Sequence, residues 1–173
     1  MIDLLRKRRS IRKYLARKID SDKIELLKEA LLRSPSSRNF QPWHFIFVDE
    51  NELIKRLAES KPHGSAFLMN APLVVVILGD ETSSDVWIED CSIAITLLQL
   101  TAESLGLGSC WVQIRNRSYN NEMSSEEYIR SIFDLPENIR VEALIGLGYP
   151  GEEKTAVSYD QLNQAKINWN EWK

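Results

Sequence analysis

Histidine and cysteine are both scarce in this 173-residue chain, with two of each: His44, His63, Cys91 and Cys110. Neither histidine has a second ligand at metal spacing, so no metal site is expected. The cysteines stand far apart and make neither a Cys-x-x-Cys pair nor a disulfide framework, and they read as small core residues. Only seven glycines are present. Gly106-Leu107-Gly108 begins a dinucleotide fingerprint, but Trp111 stands where its last glycine belongs, and a helix stop is the better account. A Walker lysine loop and a Gly-x-Ser-x-Gly elbow are also missing, which leaves a hydrolase with an activated nucleophile little to build on. No apolar run approaches the roughly 18–20 residues of a membrane span; the longest uninterrupted one is Leu73 to Leu78. Met1 to Arg6 places its charges after a short apolar stretch, the reverse of a signal peptide. Repeats, low-complexity tracts and flexible linkers are absent. The expectation is a cytoplasmic protein without a membrane segment, folded as one domain over residues 1–173.

Charge is present but unevenly placed. The first 20 residues hold eight basic side chains against two acidic ones, while the rest of the chain holds 14 basic and 23 acidic. A basic head on an acidic body does not suit a nucleic-acid binder that coats its surface with positive charge, and aromatics interleave with the basic run only at Tyr14. It suits a local anion site; a solvated basic helix is the plainer alternative.

Helix and strand signals alternate along the chain. Asp22-Lys23-Ile24-Glu25 has the capping-box pattern and opens a helix that should stop near Ser34-Pro35. Trp43 to Val48 reads as a strand, Asn51 to Ser60 as a short amphipathic helix, and Leu73 to Leu78 as a strand buried on both faces. The longest helix is expected from about Ser84 to Leu105, apolar nearly all round and therefore buried in the core or against a second subunit, with Gly106 and Gly108 as its stop. Ser109 to Ile114 reads as a strand, Ser124 to Glu127 as a second capping box, and Arg140 to Gly148 as the last strand. The tail after Gly151 is polar yet carries Tyr159, Ile167, Trp169 and Trp172, which predicts an extended arm that packs on something. Such alternation describes an α/β or α+β domain in which helices claim the larger share.

Two segments can carry chemistry. Arg8-Arg9-Ser10-Ile11-Arg12 gathers guanidinium forks and a hydroxyl, which suit a phosphate. Pro35-Ser36-Ser37-Arg38-Asn39-Phe40-Gln41 is dense in hydroxyls and amides that can satisfy the edges of a heterocycle, although the same residues also build ordinary turns. Together with Asp90, the segment Ala102-Glu103-Ser104-Leu105-Gly106-Leu107-Gly108-Ser109-Cys110-Trp111 and the strand Ala143-Leu144-Ile145-Gly146-Leu147-Gly148-Tyr149-Pro150, these motifs resemble the nitroreductase family of FMN-dependent oxidoreductases in its compact form. The match runs in order over about residues 2 to 155.

The resemblance implies an α+β, nitroreductase-like fold: a central mixed β-sheet flanked by helices, with the core over about 2–150. It implies a homodimer with FMN at the interface, the long helix forming the dimer core and the arm, residues 151–173, wrapping the neighbour. Arg8, Arg9 and Ser10 would hold the FMN phosphate, with Arg12 nearer the ring. Ser36, Ser37, Arg38, Asn39 and Gln41 would reach the cofactor of the partner, and the backbone of Val112 and Gln113 would lie beside the flavin. Many relatives finish the phosphate site with a Lys-x-Arg pair; here Lys154 is present but Ala156 replaces the arginine. The implied reaction is ping-pong hydride transfer from NADH or NADPH to a nitroaromatic or quinone-like small-molecule acceptor, with no catalytic side chain of its own because the flavin N5 carries the hydride. A non-catalytic or regulatory FMN binder is the alternative. Lys61 to Asn70 and Asn116 to Met123 are the expected lid segments, in which Phe67 and Tyr119, with Phe40, could stack on an acceptor.

Overall fold

The β-branched run at Leu73 forms the middle of the molecule. In the computed structural model, which describes residues 1–172, it is strand β2 (Leu73–Asp80) of a four-stranded sheet. The other strands are β1 (Trp43–Val48), β3 (Gly108–Gln113) and β4 (Ile139–Gly148), in the order β1-β2-β4-β3. Alternate β2 side chains serve two cores, which is why the run shows no polar alternation. Leu73, Val75 and Ile77 pack with α2 (Ser21–Leu32) and the long helix α4 (Trp87–Ser104). Val74, Val76 and Leu78 pack on the opposite face with α3 (Asn51–Ala58) and Ile129 of α5 (Ser125–Phe133). A three-layer α/β/α arrangement results, completed by the short α1 (Ile2–Lys7). Among the described residues, no helix is long and apolar enough to cross a membrane.

The α+β class holds, and one detail of it changes. Every neighbouring strand pair is antiparallel, so the sheet is not mixed. Among the described residues its parallel component is a single bridge, Ser10 to Ser109, on the outer edge of β3. Pairing stops there because the next two N–H groups, of Arg12 and Lys13, turn to the Glu152 carboxyl at 2.6 and 3.2 Å. The β2–β4 register slips at Glu142, which is bulged and buried.

Local chemistry also moves two helix ends. The first helix after the basic segment is N-capped at Asp20 rather than Asp22, and the expected Asp22/Glu25 box does not form. Asp20 itself makes no side-chain cap, because its carboxyl accepts from the Arg17 guanidinium and the Tyr149 hydroxyl. Helix α4 starts at Trp87 instead of Ser84, since the Asp80 carboxyl accepts from Thr82 and Ser83 and holds the intervening residues in a turn. By contrast, the Ser124/Glu127 capping box is fully formed.

Gly106, at φ +73°, ends α4 as expected, but Gly108 belongs to β3. A Cβ on Gly108 would lie 2.7 Å from the Ile11 Cβ, so this glycine is what lets the N-terminal segment lie against the β3 edge. Gly108→Val should push that segment away and cost about 1–3 kcal/mol, by analogy with core overpacking; thermal unfolding checks it.

Candidate functional site

Five of the sequence-predicted residues meet in one place. Arg8, Arg9, Ser10, Arg12 and Lys154 line a polar cleft of about 330 Å³. The segment is fixed by backbone: Ile11 N–H donates to Ser109 O at 3.0 Å, Leu15 N–H to Tyr149 O at 2.9 Å, and Gly151 N–H to Lys13 O at 2.8 Å. Tyr14, a residue the sequence did not single out, donates its hydroxyl to Ile11 O (2.7 Å) and to Gly146 O (3.1 Å). Burial drives the Tyr14 phenol well above its ordinary pKa, so it stays a donor. Lys154 Nζ donates to Ser10 O at 2.6 Å and pairs with Glu152 at 3.4 Å. The N–H of Arg12, then that of Lys13, together with Lys154, hold the Glu152 carboxyl below the usual range. Among the described residues, no carboxylate pairs with the guanidinium of Arg8, Arg9 or Arg12.

The second predicted cluster is built differently and lies elsewhere. Ser36 Oγ accepts from Gln41 N–H (2.9 Å), the Gln41 side-chain amide donates to Asn39 (3.2 Å), and Arg38, Asn39 and Gln41 all hold positive φ. Such a run of left-handed non-glycine residues is strained and needs an anchor. The anchor is Asp90, 3% exposed in the first turn of α4, which accepts from Ser37 N–H at 2.9 Å and from Ser84 Oγ at 3.4 Å. The basic segment instead sits at the far end of α4, where Lys7 pairs with Glu103 at 3.8 Å. Thirteen residues separate Asp90 from Glu103, or about 20 Å of helix at 1.5 Å per residue. One chain therefore presents the two clusters at opposite ends of its longest helix.

Between them runs the outer edge of β3. The Ser109 carbonyl faces that edge, so by strand alternation the N–H groups of Trp111 and Gln113 face it too. Val112 points its backbone into the β3–β4 ladder, and its side chain is buried in the core. Of the predicted Val112–Gln113 pair, only Gln113 offers an N–H to the open edge, and Trp111 joins it. Their side chains are locked together, Trp111 Nε1 donating to Gln113 Oε1 at 2.9 Å and Gln113 Nε2 to Arg115 O at 3.1 Å. Phe67 lies beside the basic segment, its ring centre 6.0 Å from the Arg12 guanidinium and 6.5 Å from the Tyr14 ring centre. Cys110 is buried, and burial raises its thiol pKa despite the neighbouring Arg12.

The Nitroreductase family model matches residues 5–64 and 59–149. The chain belongs to this family. An FMN-dependent nitroreductase of Clostridium difficile R20291 superposes with a TM-score of 0.98 at 43% identity, over 99% of this chain and 100% of that one. A protein of Archaeoglobus fulgidus, provisionally named an NADH dehydrogenase/NAD(P)H nitroreductase, is 36% identical over 170 residues, covering 95% of this chain and 94% of its own. The oxygen-insensitive NAD(P)H nitroreductase of Enterobacter cloacae is 34% identical over 94 residues, 51% of this chain and 43% of that protein. In this nitroreductase-family chain the motifs of the sequence thus fall into two well-formed clusters. Tyr14 and Glu152 are the residues that sequence reading missed. Their contacts span 132 and 140 positions along the chain, a distance at which no local pattern gives a signal.

Proposed function

We propose that this protein is an FMN-dependent oxidoreductase that passes hydride from NADH or NADPH to an electron-poor small molecule, nitroaromatic or quinone-like, in a ping-pong sequence. The observation that carries this reading is the cleft of Arg8, Arg9 and Arg12, three guanidinium groups gathered without a carboxylate partner among the described residues. Such a set is costly unless an anion joins it, and a phosphate monoester matches the guanidinium fork. The donor set therefore fits FMN, which when bound supplies an N5 that accepts and returns hydride. Arg8, Arg9 and Ser10 would hold the phosphate, Lys154 would close its side, and Arg12 would offer positive charge toward the ring. The N–H groups of Trp111 and Gln113, on the open edge of β3, would be free to donate to the flavin.

A homodimer supports this site. The face of α4 between its two ends leaves Ile93, with Ser92, Thr96 and Leu97, uncovered by the rest of the chain, although Ile93 and Leu97 are apolar. Laying two copies of α4 antiparallel along this face buries it and brings the Asp90 end of one chain to the Arg8 end of the other. Ser36, Ser37, Arg38, Asn39 and Gln41 then complete a site whose phosphate end belongs to the neighbour. The arm beyond residue 151 suits the same assembly: Trp169 and Trp172 are 84% and 89% exposed in one chain, and the neighbour's surface would cover them.

Light scattering combined with FMN quantification tests the assembled site. The expected result is a dimer carrying one FMN per chain; a monomer that binds FMN at full occupancy would overturn it.

A further inference from the structure

A second cleft, of about 410 Å³, adjoins the first, and Arg12 lines both. It opens between the end of the basic segment, residues 12–18, and the chain at 69–72, with the start of α3 beside them. Both sides are fixed by backbone bonds. Leu15 N–H donates to Tyr149 O at 2.9 Å and Arg17 N–H to Leu15 O at 2.7 Å, while Ala71 N–H donates to Leu68 O at 2.8 Å. The Tyr14 and Phe67 rings, with centres 6.5 Å apart, join the basic segment to the lid segment.

The lining of this cleft divides into charge and apolar surface. Lys13, Arg17 and Lys18 join Arg12 there, against the carboxylate of Asp49. Arg17 is already committed, pairing with Asp20 at 3.0 Å, and Asp20 also accepts from the Tyr149 hydroxyl. Lys13 and Lys18 have no ion-pair partner among the described residues. Leu15 and Met69, each about half exposed, bring apolar surface from the two sides, and Asn51 and Asn70 bring amides that can meet the polar edge of a base. A concave site with apolar surface, a few polar groups and unmatched cations fits a flat heterocycle that carries phosphate. A polymer fits it poorly, because the chain beyond the first 20 residues holds 14 basic residues against 23 acidic ones and offers no basic track to follow.

We propose that this second cleft binds the adenosine-phosphate half of the nicotinamide nucleotide, with Lys13 and Lys18 taking its phosphate oxygens. The inference rests on the oxidoreductase reading above and adds the place where the non-reacting half of the reductant sits. On that reading Arg12 stands at the ring end of the FMN site, so the cleft that shares Arg12 is the adjoining polar space for the rest of a nucleotide whose nicotinamide lies on the flavin. Binding energy from the half of a substrate that does not react serves to orient the half that does. Lysine suits the task, as a point charge on a flexible stem that can follow a phosphate in an open cleft. Two phosphate positions can supply the charge: the diphosphate, common to NADH and NADPH, and the 2′-phosphate of NADPH.

The test compares the flavin-loaded wild type with Lys13→Met/Lys18→Met and with Ala16→Trp, which fills the cleft from an exposed position on its wall. One arm is calorimetry of 5′-ADP and of adenosine 2′,5′-bisphosphate. The other is the kcat/KM of NADH and of NADPH, each as a ratio to that of 1-benzyl-1,4-dihydronicotinamide, a hydride donor with the ring and no phosphate. Both variants should weaken the adenine nucleotides and lower the ratios by about tenfold, the size of one charge-assisted bond lost to solvent. Lys13→Arg/Lys18→Arg should keep most of the wild-type values. Loss shared by 5′-ADP and NADH assigns the lysines to the diphosphate, and loss confined to the bisphosphate and NADPH assigns them to the 2′-phosphate. Unchanged affinities and ratios in both variants overturn the proposal. Should NADH, NADPH and the truncated donor all fail to reduce the flavin, the oxidoreductase reading falls, and calorimetry alone decides the cleft.

Discussion

An Arg8→Ala/Arg9→Ala double variant is expected to purify without flavin colour. On the proposed reading each arginine would contribute a charge-assisted hydrogen bond to the phosphate, together about 3–6 kcal/mol, so FMN affinity should fall roughly 10²–10⁴-fold. The apo fold should be little affected, because neither guanidinium is paired with a carboxylate among the described residues and the segment is held by backbone bonds and by Tyr14. Lys154→Met should be milder, about tenfold, since the Lys154 charge is already shared with Glu152 and Ser10. Titrating FMN into apo-protein and following flavin fluorescence measures all three. A double variant that binds FMN as tightly as the wild type would remove the phosphate from this cleft.

Asp90→Ala should act at the other end of α4. Asp90 is buried and is the tie between the strained 36–41 loop and the helix, so its loss leaves the Ser37 N–H and the Ser84 hydroxyl without an acceptor. The expected cost is about 2–3 kcal/mol, or about 5–10 °C in Tm for a chain of this size. A second effect separates structure from function. If the 36–41 loop of one chain completes the site of its neighbour, the variant also loses part of the Tm increase that FMN gives the wild type. An FMN-induced shift equal to that of the wild type would place the loop outside the cofactor site.

What could be read from the sequence follows from how local each signal is. The β2 run, the apolarity of α4 and the Ser124 box are set by residues within one element, and all three appear where the pattern puts them. The Asp22 box failed as a local signal because a competing partner from far along the chain, Tyr149, fixes the Asp20 carboxyl and the helix start with it. The absence of parallel strands has a similar cause, since Glu152 captures the N–H groups that would have extended the Ser10 bridge. In the site, the arginine and serine types carried the chemistry, and the family resemblance carried their roles. Their separation along α4 belongs to the tertiary structure alone, and in the proposed dimer that separation would make the two motifs of one chain halves of two sites. Val112 shows the limit of naming a segment: strand alternation, invisible without the partner strand, hands the open edge to Trp111 and Gln113.

Anaerobic addition of NADH, and separately of NADPH, to the flavin-loaded protein tests the central claim most directly. The account predicts that the flavin absorption bleaches with at least one nucleotide and returns when a nitroaromatic or quinone is added. Flavin bands that persist with both nucleotides would contradict it and leave a protein that binds FMN without using it for hydride transfer.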